Sequence, residues 1–181
     1  MSGNRQYSAG YEMDDFPFYN GKPIGLSAGN WLLLMLGVAL GFMALASPFP
    51  FGQYPGREWI SAFLFPGIPM LVFIYLVGEH WRLIFAKVDA KAVGWMFLIA
   101  LLNIIVSISI GKLVMDTAGA AANPVFGLLR EQDSWKKILF LLRTIPQLFG
   151  EELITIFPFL AIMWLLHTWC GMSRKLALIL A

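Results

Sequence analysis

The run AVGWMFLIALLNIIVSISI, residues 92–110, lies between Lys91 and Lys112 and holds no charged residue. About 18 or more apolar residues in a row are enough to cross the hydrocarbon of a bilayer as a helix. Strand-like alternation is missing, and in lipid only helices and closed barrels satisfy the backbone. This stretch therefore sets the fold class, and the rest of the chain repeats its character. Upstream, Trp59–Val77 sits between Glu58 and Glu79, with Pro66, Gly67 and Pro69 predicting a kink. Before it, Trp31–Ala46 is stopped by Ser47-Pro48-Phe49-Pro50. Downstream, a basic amphipathic start at Lys136–Arg143 leads into Gln147–Trp169. A turn at Gly171-Met172-Ser173-Arg174-Lys175 precedes Leu176–Ala181, which reads as the opening of a fifth span. Six residues at about 1.5 Å each cannot cross roughly 30 Å of hydrocarbon, so either the chain is a fragment, the favoured expectation, or its last residues lie at the interface. The predicted fold is all-α: a polytopic transmembrane helical bundle of four spans plus an incomplete fifth.

Composition agrees. Of 181 residues 59% are hydrophobic and 13% charged, against roughly 45–50% and about 25% in soluble domains. The net charge of +2 comes without a basic cluster interleaved with aromatics, so no nucleic-acid partner is expected. Membrane lipid is the implied surrounding. One cysteine, Cys170, cannot form an internal disulfide, and no Cys/His metal spacing is present. Residues 1–29 are polar and include Glu12, Asp14 and Asp15, unlike a signal peptide. They are expected to form a weakly ordered N-terminal tail ahead of a transmembrane domain over 30–181. Lysines and arginines in the loops lean towards an inside N-terminus. The longest loop is expected over Asp116–Ser134, with Val125–Leu129 able to lie on the membrane surface.

Against this background the segment Leu148-Phe149-Gly150-Glu151-Glu152-Leu153-Ile154-Thr155-Ile156-Phe157 stands out. Glu151 and Glu152 are the only carboxylates within an apolar span; the others fall in tails or loops. A charged residue at a span centre costs about 2.5–3.5 kcal/mol on insertion scales. About a dozen strong apolar residues between Leu148 and Leu166 return roughly 4–7 kcal/mol, so the pair leaves the span nearly neutral. Placement near the helix start relieves part of the cost. Two close carboxyls in a low-dielectric site titrate as a coupled unit. Such a pair can act as general base on water or hold a metal. Pro158 deprives the carbonyl of Ile154 of its helical partner, and Pro146 precedes the pair, so the helix is expected to be irregular on both sides. The plainer reading is a hydrated pair at headgroup level with Arg143 as ion partner; a third is a proton- or cation-binding site for transport. His167, fifteen residues beyond Glu152, is roughly 22 Å away on a straight helix and reads as interfacial beside Trp164 and Trp169. His80 reads as a solvated loop residue. No HExxH, GxSxG, Walker A or Rossmann glycine pattern is present.

The run Phe149-Gly150-Glu151-Glu152-Leu153 in a late hydrophobic helix resembles the CPBP family of intramembrane proteases, which includes the type II CAAX prenyl endopeptidases and the bacteriocin-processing or immunity proteins. The family motif is a Glu-Glu pair, three residues, then Arg; here Ile156 stands at the Arg position. Later motifs, Phe-xxx-His and His-xxx-Asn, belong to following helices and would fall beyond Ala181. The resemblance implies a metalloendopeptidase of the plasma membrane, bacterial by kinship, acting on a peptide or a membrane protein. It implies Glu151 as the group that polarises water, Glu152 as its support, and a divalent metal such as zinc as a cofactor of the site. It also implies that these 181 residues, without the histidine motifs, are inactive alone. The alternatives are a non-enzymatic membrane immunity protein of the same family and a proton- or cation-coupled carrier fragment.

Overall fold

A computed structural model describes residues 15–47, 56–85, 88–119 and 133–181. Five α-helices and no strand occur among them. They are α1 (Ala28–Ala46), α2 (Gly56–Val77), α3 (Ala90–Ala118), α4 (Ser134–Trp164) and the seven-residue α5 (Arg174–Leu180). A 3₁₀ turn, Gly78–Ile84, continues α2, and a π turn, Leu165–Trp169, continues α4. Four helices, α1 to α4, are long and apolar enough to cross a membrane. The chain is a multi-pass, all-α membrane protein. The four spans stand where the charge-free runs place them, with α3 extending eight residues beyond Ile110, through Ala118, and absorbing Asp116. Much of the expected 116–134 loop, including Val125–Leu129, lies outside the described residues.

The chain divides into two compact units: Met1–Ile84 with Phe140–Ala181, and Phe85–Leu139. The second unit carries α3, started by Asp89, whose carboxylate accepts from the Ala92 N–H at 2.7 Å. Gly119, at φ 63°, ends it in the left-handed conformation that lacks a Cβ penalty. No described α3 side chain is buried, and Trp95, Phe97 and Ile108 are well exposed. An all-round apolar helix of this kind suits lipid. Its hydroxyls are satisfied within the helix: Ser107 donates to Asn103 at 2.9 Å, Ser109 to the Ile105 carbonyl at 2.8 Å and Thr117 to the Leu113 carbonyl at 2.7 Å.

In the first unit α1 and α2 pack closely. Gly37 and Gly41, one helical turn apart, face α2: a Cβ on Gly37 would meet Val72 at 3.1 Å. One on Gly41 would come within 2.5 Å of the Phe65 carbonyl oxygen and 2.9 Å of Pro69 Cδ. Small residues four apart let membrane helices approach this way. Pro69 has no N–H, so the Phe65 carbonyl lacks its helical partner, and Gly41 lies against that oxygen. The ring of Phe65, fully buried, fills the space beside Gly150 of α4, where any Cβ would overlap it. The kink-forming residues of α2 thus sit at its tightest contact, and the helix runs unbroken through Pro66 and Pro69. Likewise α4 runs unbroken through Pro146 and Pro158; its irregular turn comes later, at Leu165–Trp169. The expected irregularity beside the glutamates is therefore corrected to a π turn at the helix end, where the Cys170 N–H donates to the Leu165 carbonyl at 2.9 Å.

The expectation of a weakly ordered tail is overturned for residues 15–27. Phe18 and Tyr19 are buried at 0% and 1% exposure, and Leu26 joins the same core as Trp31, Phe73 and Phe157. The segment is apolar at those positions, which the surrounding charges mask when it is read as polar. Phe18 packs edge-on against Phe73, and Phe16 against Phe159. Thr168 donates to the Tyr19 carbonyl at 2.7 Å. Asp15 accepts from the Tyr19 hydroxyl at 2.8 Å, the Phe16 N–H at 2.8 Å, Arg174 Nε at 2.9 Å and, more weakly, Asn20 Nδ2 at 3.3 Å. Partial burial works to raise the Asp15 pKa, but the bonds from Tyr19, Phe16 and Arg174, with the Arg174 charge, outweigh it and hold the carboxyl below its ordinary value. Burial and the neighbouring Asp15 push the Tyr19 phenol up, keeping the proton that it donates.

Two outcomes follow from these contacts. Gly41→Ala is expected to destabilise by about 1–3 kcal/mol, because the added methyl meets backbone. Gly67→Ala, with open space around it, is expected to be neutral or stabilising by about 0.5–1 kcal/mol; equilibrium unfolding in detergent with increasing denaturant compares them. For Asp15, a folded pKa below the unfolded one of about 3.9 means stabilisation that is present above that value and lost as pH falls through the lowered folded one. The thermal stability gap between wild type and Asp15→Asn should therefore be open at pH 7 and close below about pH 4.

Candidate functional site

The face of α4 that packs inward carries Gly150, Leu153, Phe157, Leu160 and Met163, all buried. Their spacing of three and four residues follows the helical repeat. Glu151 and Glu152, each turned about 100° from its neighbour, leave that face, and both are exposed among the described residues. Gly150 against Phe65 fixes the rotation of α4 at this level, so the backbone under the pair is firmly seated while the carboxyls are not enclosed. Gln147, four residues earlier, donates from Nε2 to Glu151 Oε1 at 3.4 Å, a long and weak bond. Thr155 donates to the Glu151 carbonyl at 2.9 Å. Glu152 has no hydrogen bond or ion pair among the described residues. One carboxyl of the two thus has a polar neighbour, on the same helix.

Arg143 does not pair with Glu151 among the described residues. Its guanidinium lies 5.2 Å from the centre of the Phe140 ring, and its Nε is buried with no hydrogen-bond partner. It lines a cavity with Gln147 and with Arg57 and Glu58 of the first turn of α2. Reading the sequence by charge-free runs treated Arg57 and Glu58 as span boundaries and missed this grouping. The available signal was Arg143 itself, a cation continuing into an apolar helix.

Neither histidine approaches the pair. His167 stands in the π turn; its Nδ1 lies 2.8 Å from the Met172 carbonyl, which can only accept, so Nδ1 carries the proton. Its ring packs on Tyr19 at 5.3 Å, and Trp164 and Trp169 lie edge to face beside it in sequence. His80 stands in the 3₁₀ turn with Nδ1 3.2 Å from the Val77 carbonyl. No group of three His, Cys, Asp or Glu side chains able to hold a metal occurs among the described residues. A catalytic zinc takes three protein ligands; among the described residues no third such ligand stands with Glu151 and Glu152, and no chemical step is derived through a metal.

Comparison with family models, with curated proteins and with solved structures finds no match to this chain. The resemblance around Gly150-Glu151-Glu152 therefore rests on those residues and their place in the fold.

The geometry makes a simple accessibility forecast. With Cys170 replaced by Ser, a small membrane-permeant maleimide should label Glu151→Cys and Glu152→Cys in folded protein, while Leu153→Cys, on the packed face, should stay unlabelled until denaturation. Protection of both glutamate positions would mean that they are covered.

Proposed function

We propose that this chain is an intramembrane endopeptidase resembling the CPBP family, acting on a peptide or a membrane protein in the plasma membrane of a bacterium. The observation that carries the reading is an adjacent carboxylate pair within a spanning helix, directly after a glycine locked against Phe65. Bare ionised carboxylates in hydrocarbon are costly. The pair is therefore expected to meet water, a substrate or further protein. In this reading Glu151 takes a proton from water as the hydroxide oxygen adds to the scissile carbonyl carbon. It then returns the proton to the leaving amine as the C–N bond breaks. Gln147 lies beside one oxygen of Glu151, leaving the other free to take the proton.

Cleavage of a membrane-tethered reporter by the full-length gene product tests this. Removing a general base should lower the rate about 10²–10⁴-fold in Glu151→Gln. Undiminished cleavage by that variant would remove Glu151 from the mechanism. Proton-coupled flux in wild-type vesicles, lost in Glu151→Gln and without cleavage, would favour the carrier reading instead.

A further inference from the structure

Helix α3 carries a single amide, and it lies deep in the span. At about 1.5 Å per residue, Asn103 is roughly 3 Å along the axis from the centre of the charge-free run 92–110. Its Oδ1 accepts from Ser107 at 2.9 Å, and its Nδ2 hydrogens have no partner among the described residues. Hydrocarbon offers no acceptor at that depth, so an unanswered polar hydrogen there is costly. The pattern around Asn103 is specific. Met96, Ala100, Asn103, Ser107, Ile110 and Val114 follow one another in alternating steps of four and three, the heptad seam along which two helices pack. Ala100 and Ser107, on either side of the amide, are small enough for close helix approach. The lysines avoid the seam: Lys91 and Lys112 fall on the opposite side of the heptad, with Ile105 between them in the same row.

We propose that α3 pairs in parallel with α3 of a second copy of this chain along this seam, the two Asn103 amides bonding to each other across a two-fold axis. Copies inserted in the same orientation carry their α3 helices parallel, so Asn103 meets Asn103 at one depth. An unrelated helix would need a polar group at that depth by coincidence. The amide is also complementary to itself. Each Nδ2 donates to the other copy's Oδ1, whose second lone pair is free beside the Ser107 bond. A lone polar residue in an apolar seam fixes the register of such a pair. Ser109 and Thr117 need no partner, because each donates to a carbonyl of its own helix. The pairing uses neither Glu151 nor Glu152, so it stands or falls apart from the protease reading.

Purified full chain in vesicles of phosphatidylcholine and phosphatidylglycerol tests the pairing in two ways. The first is oxidative cross-linking with Cys170 replaced by Ser. Ile110→Cys, in the seam, should give a covalent dimer, and Ile105→Cys, on the opposite side, should not. The second is energy transfer between copies labelled at the exposed Cys170, followed as the protein is diluted in lipid. Asn103→Leu should raise the dissociation constant about 5–30-fold, the scale of interhelical hydrogen bonds between model helices. Asn103→Gln, which keeps the amide, should stay near wild type. A wild-type chain that is monomeric at every dilution would overturn the proposal and would mean that the seam is covered by the same chain or by lipid. Equal cross-linking at Ile110→Cys and Ile105→Cys, or an Asn103→Leu chain that associates as tightly as wild type, would overturn it too. If Asn103→Leu fails to fold, the cross-linking contrast between the two cysteine positions decides alone.

Discussion

The contact on which the first unit depends is the insertion of Phe65 between two glycines. Its carbonyl rests against Gly41 of α1, and its ring rests against Gly150 of α4. A membrane gives apolar helices no hydrophobic reason to associate, so close packing and small residues must supply it. Pro69 is part of the same device. By removing one N–H it leaves the Phe65 carbonyl free of the helical ladder, and the glycine opposite admits that oxygen without a Cβ in the way. One residue thereby sets the spacing of α1 and α2 through its backbone and the rotation of α4 through its side chain.

That rotation organises the chemistry. With Gly150 turned inward, Gln147 and Arg143, one and two turns earlier, fall towards the cavity at the start of α2, whose wall they share with Arg57 and Glu58. Glu151 and Glu152 fall outside the packed face. Gln147 is the hinge between these two surroundings, touching the cavity and Glu151 at once. A slip of α4 by one residue would exchange glycine for a carboxylate against the Phe65 ring, which neither the volume nor the desolvation cost permits.

The four spans were legible because a bilayer demands long charge-free runs, and Ala92–Ile110 states that demand without ambiguity. Three features were not. Phe18, Tyr19 and Leu26 lie among enough polar neighbours that residues 15–27 average out as a tail, although three apolar anchors suffice to dock a segment on aromatic helices. Gly37 and Gly41 are invisible to a reading by charge, since their role lies in what they lack. The cavity joins residues about 85 positions apart, Arg57 and Glu58 with Arg143, and no local pattern records such a meeting. The glutamate pair was legible as an anomaly, but its direction was not: the helical turn separates the two carboxyls, and only the packing of Gly150 decides where each one points.

An exposed acidic pair beside a firmly seated helix also has an energetic meaning. Enclosing Glu151 and Glu152 within the bundle would have required buried partners for both, and the described part of the bundle core is almost wholly apolar: Ser61 is its one buried polar residue. Outside the packed face, the pair meets whatever covers or hydrates that side of α4. The apolar face of the same helix holds the backbone in place. The packed face of α4 and its carboxylate pair thus lie on different sides of one helix, with the backbone under the pair seated by Gly150 against Phe65.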